Sequence, residues 1–187
     1  LNACPLTTTI YTLTVTDAGG NSASDTTKIV VLPTPTVTAT SSATLTCTNL
    51  NSVLTGVSAG ATMVWNGGAL VNAANPATVS APGVYSVTAT NIATGCSAVQ
   101  TVTVSSNTVV PNASATTTGT LTCTNLNAIL NGASTTPGVT YQWTAGPAAQ
   151  NNTVSAPGTY TLTVTNPTNG CTNTALTTVT QNITVPI

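Results

Sequence analysis

The heptapeptide Leu45-Thr46-Cys47-Thr48-Asn49-Leu50-Asn51 recurs residue for residue as Leu121-Thr122-Cys123-Thr124-Asn125-Leu126-Asn127. Cys47 and Cys123 lie 76 residues apart, while Tyr85 and Tyr160, like Cys96 and Cys171, lie 75 apart. An internal period of this length sets the size of the folding unit, because each unit must bury a core drawn from one period or lean on a like neighbour. A second motif rides on the same period. Ser155-Ala156-Pro157-Gly158-Thr159-Tyr160-Thr161-Leu162-Thr163-Val164-Thr165 answers Ser80-Ala81-Pro82-Gly83-Val84-Tyr85-Ser86-Val87-Thr88-Ala89-Thr90, and a shortened copy runs Thr8-Thr9-Ile10-Tyr11-Thr12-Leu13-Thr14-Val15-Thr16. Tyr160, Leu162 and Val164 alternate with Thr159, Thr161, Thr163 and Thr165, the period of two that marks a half-buried strand.

Short strands punctuated by Gly, Pro and Asn, with no capped helical pattern, predict an all-β chain of tandem sandwich modules. The expected domains are 1–33, 34–110 and 111–187, the first being the C-terminal part of a module. Its two strands cannot make a core alone, so its missing half comes from an upstream segment or from another subunit. Leu1 falls inside a module and the only methionine is Met63, so the chain is expected to be a piece of a longer or processed protein. Asn66-Gly67-Gly68 signals a hairpin. Ala81-Pro82-Gly83-Val84 suits a type II turn, with the glycine at positive φ.

Charge is nearly absent. Asp17, Asp25 and Lys28 are the whole set, and beyond Lys28 there is no Asp, Glu, Lys, Arg or His. A surface this neutral favours association, or a coat of sugar. No basic face exists for nucleic acid or anionic lipid, and no apolar run is long enough to span a membrane. Five cysteines at repeating positions read as disulfides in an oxidising, extracellular compartment. The expected pairs are Cys47–Cys96 and Cys123–Cys171, each worth about 4 kcal/mol on the chain-entropy model. Cys4 is left over, with its partner upstream, and Ser22 stands at the place of Cys96 and Cys171.

The same composition excludes most chemistry. General acid–base catalysis needs a titrating group, and nothing after Lys28 could activate a Ser or Thr, so no enzyme and no cofactor is expected. Calcium needs several carboxylates in one loop, and the cysteine spacing is not that of zinc knuckles, so no metal is expected. Asp17 reads as a turn residue and Asp25 as a surface one. Trp65, Trp143, Tyr85 and Tyr160 occupy equivalent repeat positions and read as core aromatics rather than a sugar-stacking platform. Tyr141 stands where the first repeat has Met63. With no lysine in the full modules, an isopeptide crosslink is excluded there. The Thr rows, Thr36-x-Thr38-x-Thr40 and Thr159 to Thr165, suit exposed strand faces. Ice binding through them is a remote alternative, since short strands twist.

Leu-Thr-Cys-Thr-Asn, a Trp about twenty residues on, Ala-Pro-Gly-x-Tyr-x-(Leu/Val) and Asn-x-x-x-Gly-Cys together resemble the bacterial Ig-like and PKD-like repeats of giant Bacteroidota surface proteins, gliding and adhesin filaments among them. The likeness covers nearly the whole chain. It implies export, often by type IX secretion, and a cell-surface location. Where relatives carry acidic turn residues this chain has Asn91 and Asn166. Asp25-Thr26-Thr27 looks like the O-glycosylation signal of that group, placing a sugar on Thr26, and Asn112, Asn151 and Asn182 lie in Asn-x-Ser/Thr contexts. The expected function is a repeat segment of an extracellular filament, stalk or adhesin, its partners being further copies or neighbouring modules of the same polypeptide, with glycans. The alternative is a non-catalytic binding or spacer module of a secreted enzyme or lectin.

Overall fold

The computed structural model describes residues 7–144 and 146–183; Cys4 lies outside them. The strands are β1 (Thr9–Thr16), β2 (Ser22–Ile29), β3 (Thr38–Ser41), β4 (Leu45–Thr46), β5 (Ser52–Val57), β6 (Ala61–Gly67), β7 (Leu70–Ala74), β8 (Ala77–Val79), β9 (Gly83–Asn91), β10 (Ser97–Val104), β11 (Ser106–Asn107), β12 (Ser114–Thr118), β13 (Ala128–Ala133), β14 (Thr140–Trp143), β15 (Asn151–Val154), β16 (Gly158–Thr165) and β17 (Thr172–Val179). No helix occurs among the described residues.

Each full repeat contributes two sheets. The first has the orders β3-β5-β8 and β10-β9-β6-β7; the second has β12-β13-β15 and β14-β16-β17. The chain is all-β, a tandem of Ig-like β-sandwiches. Alternation explains the strands. Along β16, Leu162 and Val164 are fully buried between half-exposed threonines, and in β9 Tyr85, Val87 and Ala89 are buried on the same period. In the second repeat, Leu121, Ala128, Leu130, Trp143, Val154, Leu162, Val164 and Val179 form one core, with Tyr141 and Tyr160 packed at its margin.

Backbone contacts divide the chain into two compact units whose limits differ from the repeat limits. One holds the described residues up to Ser41, with Val53–Ala77 and Gly83–Thr103. The other holds Ser42–Ser52, Thr78–Pro82 and the described residues from Val104 onward. The second unit therefore takes in the Cys47 segment of the first repeat.

Gly83, expected at positive φ after Pro82, has φ 158°, and its counterpart Gly158 has φ 151°. Each is the first residue of a strand, and Gly158 already pairs with Val179. The hairpin expected at Asn66-Gly67-Gly68 is present: β7 follows the Gly67-Gly68 turn and returns along β6, Val64 facing Ala74 and Trp65 facing Ala73; among the described residues the second repeat has no counterpart of this strand.

Candidate functional site

The feature that distinguishes this chain chemically is a junction between consecutive repeats, lying wholly within one compact unit. It begins with the repeated heptapeptide. Thr46 N–H donates to the Asn49 carbonyl at 2.8 Å, Asn49 N–H to the Thr46 hydroxyl at 2.9 Å, and the Asn49 carboxamide to the Thr44 carbonyl at 2.8 Å. These bonds fold the segment 44–49 into a tight loop with Cys47 at its tip. The chain leaving β10 pins the loop: Leu45 N–H donates to the Ser105 carbonyl at 2.9 Å, and β11 pairs in parallel with β4.

The second half of the site is the turn between β16 and β17. Asn166 organises it, accepting the Thr168 N–H at its side chain and the Gly170 N–H at its carbonyl. At its end stands Asn169, buried and with both side-chain polar atoms engaged. Its carboxamide nitrogen donates to the Asn107 side chain at 3.0 Å and the Val109 carbonyl at 2.9 Å, and its oxygen accepts the Cys171 N–H at 3.0 Å. Asn173 adds a bond to the carbonyl of the buried Pro111. The turn thus seats on the linker and meets the loop, where Cys47 N–H donates to the Asn169 carbonyl at 3.2 Å. Gly170, at φ 69°, leaves no room for a side chain, since a Cβ there would run into Thr48.

Cys47 and Cys171 are bonded across this seat, their Cα atoms 5.0 Å apart, while Cys96 and Cys123 are free thiols. This corrects the expected pairs Cys47–Cys96 and Cys123–Cys171. The reason is the length of one strand. Cys171 immediately precedes β17, and the Cys123 loop is pinned just beyond the far end of β17, where Leu121 N–H donates to the Thr180 carbonyl. Eight residues of strand at about 3.3 Å each separate the two cysteines by roughly 26 Å, far beyond the ~7 Å that a disulfide can bridge. Cys47, already bonded to Cys171, is not available to Cys96.

The aromatic residues occupy the interior. Trp65 and Trp143 are fully buried, Tyr85 nearly so, and Tyr160 is half-buried with its hydroxyl donating to the Ala156 carbonyl at 2.9 Å. Sequence reasoning missed what anchors the two indoles. Trp143 Nε1 donates to the Gln150 carbonyl, which also accepts the Gly132 N–H, while the Gln150 carboxamide returns a bond to the Gly132 carbonyl. In the first repeat a single side chain does all three tasks. Asn75 Oδ1 accepts from Trp65 Nε1 at 3.0 Å and Gly56 N–H at 2.7 Å, and its Nδ2 donates to the Gly56 carbonyl.

Of the candidate sugar sites, Thr26 and Asn151 are exposed on β2 and β15. Asn112 is exposed, but its Oδ1 is held by the Ser134 hydroxyl and the Thr135 N–H, at 2.9 and 2.8 Å. Asn182 takes the place that Asn107 holds in the junction, its N–H donating to the Leu121 carbonyl. Asp17 anchors the β1–β2 turn. Its carboxylate accepts from the Asn21 side chain and from the N–H groups of Asn21 and Gly19, which holds its pKa below the usual carboxylate range. Among the described residues, no three His, Cys, Asp or Glu groups converge on a possible metal site, and no helix is long and apolar enough to cross a membrane.

The outer face of the β14-β16-β17 sheet is rich in threonine. Thr159, Thr161, Thr163 and Thr165 stand opposite Thr178, Leu176, Thr174 and Thr172, with Thr140 facing Thr165 on the other flank. Thr36, Thr38 and Thr40 are exposed in the first repeat. On the β1–β2 hairpin Leu13 and Val15, counterparts of the buried Leu162 and Val164, are more than 60% exposed, so the core side of this hairpin is uncovered.

No protein-family model and no curated protein matches the chain. Solved structures that resemble it include Sidekick-1 immunoglobulin domains 1–5, at 12% identity and a TM-score of 0.36, covering 95% of this chain. The chain spans 46% of the length of that structure. The extracellular domains 3–5 of Drosophila OTK match at 12% identity and 0.32, over 91% of this chain and 69% of that one. Murine CEACAM1b matches at 16% identity and 0.33, over 80% of this chain and all of that one.

Proposed function

We propose that this chain is a structural segment of an extracellular filament, stalk or adhesin shaft, of the kind carried by exported Bacteroidota surface proteins. The observation that carries the reading is the disulfide between consecutive repeats. A bond confined to one repeat would stabilise that repeat alone. A bond from one repeat to the next resists separation of the repeats, the failure mode of a shaft under tension. The Pro-containing linkers and the seat of Asn169 on Asn107 and Val109 fix the approach of one repeat to the next. A disulfide fits an oxidising compartment outside the cell. Residues 1–33, 34–110 and 111–187 serve as successive modules, and the first is completed by an upstream segment or by another subunit.

The Thr-rich faces supply lateral contacts. They carry no charge to repel a copy, and their hydroxyls can bond to each other or carry glycans. No catalysis is assigned to the segment. Electron microscopy of the native material tests the reading. Long fibres with a regular module-sized axial repeat are expected; separate short rods at the same concentration would reject a filament and favour a spacer module of a secreted protein.

A further inference from the structure

The loop around Cys123 is built as the loop around Cys47 is, yet only Cys47 is bonded. Thr122 N–H donates to the Asn125 carbonyl at 2.8 Å, Asn125 N–H to the Thr122 hydroxyl at 2.9 Å, and the Asn125 carboxamide to the Thr120 carbonyl at 2.8 Å, the same three bonds at the same lengths as in the occupied loop. The pinning is repeated too. Leu121 N–H donates to the Thr180 carbonyl at 3.0 Å, and Leu121 pairs in parallel with Gln181, as Leu45 does with Ser106. The loop is therefore preformed rather than shaped by its disulfide, and Cys123 is exposed at its tip.

The complementary half is also present twice. The turn 91–96 is organised by Asn91 as 166–171 is by Asn166: Gly95 N–H donates to the Asn91 carbonyl, and Cys96 N–H to the Thr94 hydroxyl where Cys171 N–H donates to Asn169. In the second repeat loop and turn sit at opposite ends of β17, so the connection is directional. One loop takes the turn of the repeat that follows it.

We infer that Cys123 is the receiving half of a second inter-repeat disulfide, made with the turn cysteine of a further repeat of this kind that follows in the same polypeptide. The occupied junction argues for the following repeat, because its turn cysteine belongs to the repeat joined to the loop through residues 105–111. The inference deepens the shaft reading by naming what the open loop binds. The bond forms by thiol–disulfide exchange with a small disulfide such as oxidised glutathione. The Cys123 thiolate attacks one sulfur and expels a glutathione thiolate; the second cysteine's thiolate then attacks the Cys123 sulfur and expels the other. Two protein thiols are oxidised, one glutathione disulfide is reduced, and the two departing thiolates take up the two protons.

The test adds a second copy of residues 112–187 after Ile187 of the full chain. After equilibration with oxidised and reduced glutathione, non-reducing peptide mapping should link Cys123 to the appended counterpart of Cys171, with Cys47–Cys171 retained. Maleimide labelling at Cys123, complete in the 187-residue chain, should be lost. Replacing that appended cysteine by serine should restore the label while Cys47–Cys171 persists, which shows the chain still folded. Continued labelling of Cys123 in the unsubstituted extended chain, or a Cys123–Cys171 link, would overturn the inference. Dimers of the 187-residue chain joined Cys123 to Cys96 would overturn its placement in one polypeptide. The result is separable from the shaft reading, since fibres in the native material with Cys123 unbonded would defeat this inference alone.

Discussion

At the scale of single residues, the two repeats solve one problem in two ways, and the difference is measurable. A buried indole N–H needs an acceptor, and the glycine beside it needs both backbone groups satisfied. In the first repeat Asn75 provides all three bonds from its side chain. Asn75→Ala should lower stability by about 2–4 kcal/mol, because it strands a buried donor as well as removing bonds. Gln150→Ala should cost only about 1 kcal/mol, since the main-chain carbonyl that holds Trp143 remains and one side-chain bond is lost. Urea denaturation of both variants checks the ranking; equal costs would mean that the Asn75 bonds are not what holds Trp65. The glycines differ in the opposite sense. A Cβ on Gly132 would come within 2.8 Å of the Gln150 carbonyl and 2.9 Å of Leu162, whereas the nearest atoms to one on Gly56 all belong to side chains, Val87 at 3.0 Å and the flexible Met63 at 3.1 Å among them. Gly132→Ala should therefore destabilise by about 1–3 kcal/mol, and Gly56→Ala by less, read from the same denaturation curves.

At the scale of elements, the strands and turns were legible because their signals are local. Alternation of Thr with Leu or Val fixes which face of β16 is inward, and the interior place of Trp65 and Trp143 follows from their repeat positions. The cysteine pairing was not legible. A pattern that recurs every 75 or so residues looks the same after a shift of one repeat, so spacing alone cannot separate a bond within a repeat from one to the next. Only the length of β17, standing between Cys171 and the Cys123 loop, decides it. The hairpin turns give an element-scale prediction. Asp17 holds the β1–β2 turn as Asn91 and Asn166 hold theirs, but it alone can titrate. Its folded pKa is depressed by the Asn21 side chain and by backbone N–H groups. Its contribution to the hairpin is therefore complete above the ordinary aspartate value near ~4 and is lost as the pH falls through the lower folded value. Amide exchange in 16–22 should speed up on acidification across that range after correction for intrinsic rates. Asp17→Asn should keep the turn and abolish this pH dependence.

At the scale of the whole molecule, a near-absence of charge and a staple between repeats act together. Electrostatics neither holds the repeats nor keeps copies apart, as the net charge is −1 and every charged side chain lies within 17–28. What joins one repeat to the next is therefore covalent, backed by the bonds of Asn169 and Asn173. The disulfide spans a sequence separation of 124. On the chain-entropy model, closing a loop of that length removes about 5 kcal/mol of freedom from the unfolded chain, more than either of the shorter loops that bonds within the repeats would have closed. Cys47→Ser and Cys171→Ser should each lower the stability of the compact unit that contains both cysteines by up to that amount, and the double variant should cost no more than either single one, because all three remove the same bond. Cys96→Ser and Cys123→Ser should leave the melting temperature of the 187-residue chain within error under non-reducing conditions. Calorimetry of the four single variants and the double decides the matter. A loss at Cys123→Ser equal to that at Cys171→Ser would mean that the stabilising bond lies within the second repeat, and the staple between repeats would fall with it.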